Sequence, residues 1–116
     1  MTVINCEVQM YQVYFYAPLD HYKKVSEAMF IASGGDFKLY DKCAFSTFGK
    51  GQFRAKKGAQ PFIGTEEELV VIDEVKVEML VKNEHLKNVI EAMLAVHPYE
   101  EVAYGILKLE NFLEEV

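Results

Sequence analysis

The sequence predicts an α+β chain: two β-α-β units that share one antiparallel sheet and place both helices on the same face. Three observations carry this. Apolar residues alternate at period two along 68–81, the mark of a half-buried strand. Two other segments repeat apolar residues at steps of three and four, the mark of amphipathic helices. Finally, HYKKVSEAMF (21–30) and HLKNVIEAML (85–94) agree at six of ten positions with an offset of 64, and Val13 ahead of the first aligns with Val77 ahead of the second. A duplicated unit, or two helices that want the same residue types, produces such a match. Either way the order is βαβ followed by βαβ, a ferredoxin-like βαββαβ sandwich.

Taken in order, MYQVYFYA (10–17) is rich in β-branched and aromatic residues and ends at Pro18, so it reads as a buried strand. In LDHYKKVSEAMFIAS, residues Leu19, Tyr22, Val25, Met29 and Ala32 form an apolar stripe, Asp20 is the expected N-cap, and Gly34-Gly35 is the stop. CAFSTF (43–48) alternates as a strand that includes Cys43, and GKG (49–51) reads as a turn into QFRAK. After an irregular loop, KGAQPFIG, comes the long strand ELVVIDEVKVEMLV, with Val75, Val77, Met79 and Val81 on one face. Asn83 is the expected cap of NEHLKNVIEAMLAVH, whose apolar face is Leu86, Val89, Ile90, Met93 and Leu94, and Pro98 disfavours helix at His97. EVAYGILKL (101–109) supplies the last strand, and 110–116 is left as a tail that frays or docks. The excursion from 43 to 75 becomes an extended hairpin between strands 2 and 3.

Length and composition are those of a single domain over 1–116 with its core in 10–109: 51% hydrophobic, 26% charged, 7 Tyr and 8 Phe. A net charge of −6 opposes nucleic-acid binding, which needs a basic face. No apolar run approaches the roughly 20 residues of a membrane span, and MTVINCEVQM lacks the basic start and apolar core of a signal peptide. A cytoplasmic protein without membrane association is expected, with Cys6 and Cys43 as reduced thiols. The sheet face opposite the helices is apolar enough to expect a homo-oligomer, a trimer being favoured, with the hairpin crossing onto a neighbour.

Two stretches concentrate chemistry. His97-Pro98-Tyr99-Glu100-Glu101 brings an imidazole, a phenol and two carboxylates within five residues. It is either a structural corner, with His97 donating to carbonyls at the helix C-terminus and Tyr99 at a subunit junction, or a ligand site. Used as a metal site, it would need His97 and Glu100 or Glu101 to meet a further ligand such as Cys43. The second stretch, GKGQFRAKKGAQPFIG, holds Lys50, Arg54, Lys56 and Lys57 among four glycines. Flexible amides beside cations suit an anion such as a nucleotide phosphate, and Arg54 and Lys57 are its candidate binders; lysines that discourage edge pairing are the alternative. GxxxxGK[ST], GxSxG and HExxH are all absent, so no catalytic residues are assigned. His21 and His85, at matching first-turn positions, read as exposed polar residues.

From Tyr11 to about Leu109, the pieces YQVYFYAP, YDKCAFSTFGKGQFRAKKGAQPFIG, AMLAVHPYEE and EEVAY resemble the PII-like domain inserted in longer members of the YbgI/YqfO family. These proteins are also called Nif-three-like, or type 2 homologues of GTP cyclohydrolase I. The resemblance implies a fold akin to PII and CutA proteins, here as a free-standing domain. The family's dinuclear metal site is built by flanking regions that match no position of this sequence, so its hydrolase activity is not carried over. The HPYEE corner (His97, Tyr99, Glu100, Glu101) and the loop from Gly49 to Gly64 are. Ala55 stands where the family usually has proline, GGDFKLYD replaces GxGxxGxYD, and Gly105 replaces an acidic residue.

The function so implied is a non-enzymatic, oligomeric PII/CutA-like module that binds a small ligand or a metal ion at subunit clefts and regulates a partner. The alternatives are a CutA-like divalent metal-binding protein, with His97 and Glu100 as ligands, and an accessory domain of a Nif-three-like hydrolase. The cofactor is left open, a divalent metal ion being one candidate.

Overall fold

The computed structural model describes residues 6–110 and 112–114. Its elements are β1 (Cys6–Val8), β2 (Met10–Pro18), α1 (Tyr22–Ile31), β3 (Phe45–Arg54), β4 (Leu69–Lys82), α2 (Asn83–Val96), β5 (Tyr104–Lys108) and β6 (Phe112–Glu114). β2 to β5 form one antiparallel sheet in the order β3-β4-β2-β5, with α1 and α2 packed on one face. That is the expected ferredoxin-like arrangement, with β3 and β4 as the extended hairpin.

Alternation decides which face is buried. Val13, Phe15 and Ala17 of β2 and Val75, Val77, Met79 and Val81 of β4 point under the helices and are at most 3% exposed. Val25 and Met29 of α1 meet Val89 and Met93 of α2 in the same core, at 0% exposure each. These pairs occupy matching positions of the internal repeat, so the two units contribute equivalent anchors to one core.

Several local expectations need correction. GKG is not a turn: Gly49, Lys50 and Gly51 run inside β3 in register with Glu74, Asp73 and Ile72. Strand pairing along β4 holds this segment extended. Cys43 lies in the loop before β3, not in a strand. Neither helix has a side-chain cap. Asp20 bonds the His21 Nδ1 at 2.9 Å instead, and Asn83 is already helical, with Lys82 at the cap position. Leu19 and Leu94, assigned to apolar stripes, are 47% and 44% exposed, because Leu19 precedes α1 and Leu94 sits at the rim of the α2 stripe. The last strand is shorter than expected. The tail is not featureless, since 112–114 pairs antiparallel with β1, a strand the sequence reading missed. Asn111 and residues 115–116 lie outside the described residues, as does the side chain of Cys6.

Gly34-Gly35 does stop α1. The chain leaves the helix through Ser33 at φ 77° and Gly35 at φ 64°, and a Cβ on Gly35 would strike the backbone of Cys43.

β4 has 14 residues, about 46 Å of strand, and its outer half runs beyond the helices. The molecule is accordingly long, 61 × 22 × 20 Å. Its radius of gyration is 16.7 Å, against about 13 Å for a compact chain of this length. No helix among the described residues is long and apolar enough to cross a membrane.

Candidate functional site

The α2 helix ends where Pro98 requires extended backbone at His97, φ −63° and ψ 134°. This turns the His97 ring inward, to 7% exposure, with its edge against Phe15 at 6.1 Å. The backbone N–H of Tyr99 donates to Nδ1 at 3.1 Å, so Nε2 carries the proton and donates to the carbonyl of Tyr16 at 2.7 Å. Burial pushes the His97 pKa below the ordinary histidine value, only partly offset by the Tyr16 carbonyl and the Glu74 carboxylate. The ring is thus a neutral brace between β2 and the corner. The expected bond to carbonyls at the helix end is replaced by this bond to β2, because the extended backbone carries the ring past the helix terminus.

Held by that brace, Tyr99 packs its ring at a tilt against His97 and Phe53 of β3, with centroids 4.9 Å and 5.9 Å away. Its hydroxyl donates to Glu74 Oε2 on β4 at 2.7 Å. Desolvation first, and then the Glu74 carboxylate, raise the phenol pKa, so Tyr99 stays a proton donor at all ordinary pH values. Glu74 can lie here because Gly51 has no side chain, and a Cβ there would collide with the carboxylate. The loop after β3 closes over the corner, with the Gln60 N–H donating to Glu100 Oε1 at 3.2 Å. Arg54 Nε donates to the Glu67 carbonyl at 3.2 Å on the return of the loop.

Between loop and corner lies a pocket of about 420 Å³. Phe53, Pro61, Phe62 and Tyr99 give it an apolar wall, Arg54 and Lys56 stand on it as cations, and Glu74, Glu100 and Glu101 as anions. The two stretches singled out in the sequence therefore meet in one cavity. Of the sequence candidates, Arg54, Tyr99, Glu100 and Glu101 line it, His97 braces it from behind, and Lys57 stands outside, beside the lining Lys56. Lys50 is engaged in a salt bridge with Asp73. Sequence reasoning missed Tyr16, Glu74 and Phe62. Glu74 stands among the alternating residues of a long strand, and the apolar pair Phe62-Ile63 after Pro61 in a polar loop is the signal that could have pointed to the wall.

As for metals, among the described residues no group of three or more His, Cys, Asp or Glu side chains is gathered to hold one. Both His97 nitrogens are committed to backbone partners. Cys43, the candidate third ligand, lines a separate cleft with Gln12 and Glu78.

No protein-family model matches the chain. Curated relatives do. It is 42% identical over 96 residues to the GTP cyclohydrolase 1 type 2 homolog of Bacillus subtilis strain 168, covering 83% of this chain and 26% of that protein. It is 35% identical over 102 residues to the namesake of Halalkalibacterium halodurans, covering 88% and 27%. The chain thus spans about a quarter of the length of these relatives. Among solved structures, a Bacillus cereus protein related to NIF3 superposes with TM-score 0.78 at 30% identity, over 98% of this chain and 29% of that one. CutA1 from Pyrococcus horikoshii superposes with TM-score 0.61 at 15% identity, over 85% and 82%, a likeness of fold. The chain is therefore a homologue of a quarter-length segment of the GTP cyclohydrolase 1 type 2 homologues, the NIF3-related family, folded as a PII-like CutA domain.

Proposed function

We propose that this chain is a non-enzymatic, cytoplasmic, oligomeric module that binds a small ligand in the pocket between the HPYEE corner and the glycine-rich loop, and through it regulates a partner. The observation that supports this reading is the convergence of Arg54 and Lys56 with Tyr99, Glu100 and Glu101 on one cavity, from stretches far apart in sequence. A cavity of this size, apolar with a few charged groups on its rim, has the character of small-molecule sites.

The oligomeric part is supported by apolar surface. Phe45, Phe48, Leu69 and Val71 on the hairpin and Ile106 and Leu107 on β5 are 41–68% exposed. By register, Phe48, Leu69, Val71 and Ile106 lie on the helix-side face and Phe45 and Leu107 on the other, so the exposed apolar residues are not confined to the face opposite the helices. Covering them with further copies, three in the favoured assembly, would turn the pocket into a subunit cleft. Coverage of only a quarter of the relatives' length supports the companion reading of an accessory domain, whose activity lies with regions this sequence does not match. The metal-binding reading has less support, because the two His97 nitrogens would have to give up their partners.

Native mass spectrometry of the untagged protein, purified without chelator or added metal, tests this. The expected spectrum is an oligomer that retains a small organic species, which Arg54→Gln and Tyr99→Ala release. A bare monomer overturns the reading.

A further inference from the structure

The charges on the pocket wall do not neutralise one another. Among the described residues, the salt bridges are Asp20–His21, Glu27–Lys42, Lys50–Asp73, Lys76–Glu78 and Lys87–Glu91, and none includes Arg54, Lys56, Glu100 or Glu101. Each of these four still has bonding capacity. Arg54 spends Nε on the Glu67 carbonyl, which leaves both terminal guanidinium nitrogens. Glu100 spends Oε1 on the Gln60 N–H, which leaves Oε2. Glu74 lines the cavity as well, with Oε2 taken by the Tyr99 hydroxyl, so two cations and three anions share its wall while no pair of opposite charges among them lies within 4.0 Å. Rings of Phe53, Phe62 and Tyr99 line the same cavity.

A ligand of one sign would satisfy only the opposite charges of this wall and strip water from the others, and burying a charge without a partner is costly. A ligand with separated charges of both signs and a flat apolar body satisfies all of it. Resting on the reading that this pocket is a ligand site, we propose that its ligand class is a zwitterion of dipeptide size with an aromatic side group. Its carboxylate faces Arg54 and Lys56, its ammonium faces Glu100 and Glu101, and its ring lies on Phe53, Phe62 and Tyr99. A volume of about 420 Å³ accommodates such a molecule.

Because the chain contains no tryptophan, indole emission reports the probe alone. The full chain is titrated into glycyl-tryptophan, into its N-acetyl form, which is an anion only, and into its C-terminal amide, which is a cation only. Glycyl-tryptophan is expected to bind about tenfold more tightly than either blocked form, one charge-assisted contact being lost in each. Arg54→Gln should remove the advantage over the amide, and Glu101→Gln the advantage over the acetylated form; both side chains are exposed, so the fold is kept. Equal binding of the acetylated probe makes the pocket an anion site, and equal binding of the amide makes it a cation site. Either result overturns the proposal, as does a preference for the zwitterion that both variants leave intact. If all three probes fail while the native mass spectrum retains a species, the zwitterion assignment alone falls; if nothing is retained either, the ligand site falls with it.

Discussion

The two halves of β4 share one alternation and have opposite fates. In the inner half, Val75, Val77, Met79 and Val81 are sealed beneath two helices, whereas Leu69 and Val71 of the outer half, on the same strand face, are 58% and 57% exposed. Period two fixes which way a side chain points, and burial depends on what lies above it. The inner half has α1 and α2, and the outer half has only β3 beside it. The core therefore sits at one end of the molecule and the pocket where the sheet has outrun its helices.

Truncating a side chain should have opposite consequences in the two halves. Phe15 is fully buried among the inner-half residues, and Phe15→Ala is expected to cost about 3–5 kcal/mol in urea unfolding. Val71→Ala should cost less than about 0.5 kcal/mol in the isolated chain. A Val71 cost that grows with protein concentration would mean that another copy supplies the missing cover.

A smaller effect is expected where the halves join. His97 connects the core to the corner, and His97→Gln should cost about 2 kcal/mol at pH 7.5, since the Tyr16 carbonyl and the Tyr99 N–H lose their shared partner. The sign of the pH dependence follows from the lowered pKa. The folded state prefers neutral His97, so this contribution is present above the unfolded histidine value of about 6.5 and is lost as pH falls through the lower folded value. Among charged neighbours, Glu74 favours the charged ring and His21 opposes it. The stability gap between wild type and His97→Gln should therefore narrow between pH 7.5 and 5, and a constant gap would show that His97 does not change charge there.

The β-α-β-β-α-β order was legible because it rests on periodicities, which local sequence carries. The core was legible where helices happened to cover the alternating strand. What escaped depended on distant partners. Cys6–Val8 is a strand only because Phe112–Glu114 lies beside it. The GKG triplet has turn composition, yet pairing with β4 holds it extended, and the absence of a side chain at Gly51 serves Glu74 rather than a bend. In the same way, the sequence marked Arg54 and Tyr99 separately as site candidates, but their meeting is set by the length of the hairpin and the inward turn at Pro98.

The smallest change is Tyr99→Phe, which removes one oxygen and leaves the ring against Phe53. The hydroxyl is the hydrogen bond joining the corner to β4, and deleting it should cost about 1 kcal/mol, less than the His97 change because Glu74 is only partly buried and recovers water. Glu74→Gln keeps an acceptor at that position and should cost less than Tyr99→Phe. Measured together, the two changes should cost little more than Tyr99→Phe alone, since once the hydroxyl is gone the acceptor at position 74 has no bond left to weaken. Simple additivity in this double-mutant cycle would mean that Tyr99 and Glu74 act independently, and that the corner is held to the hairpin by stacking and the Gln60–Glu100 contact.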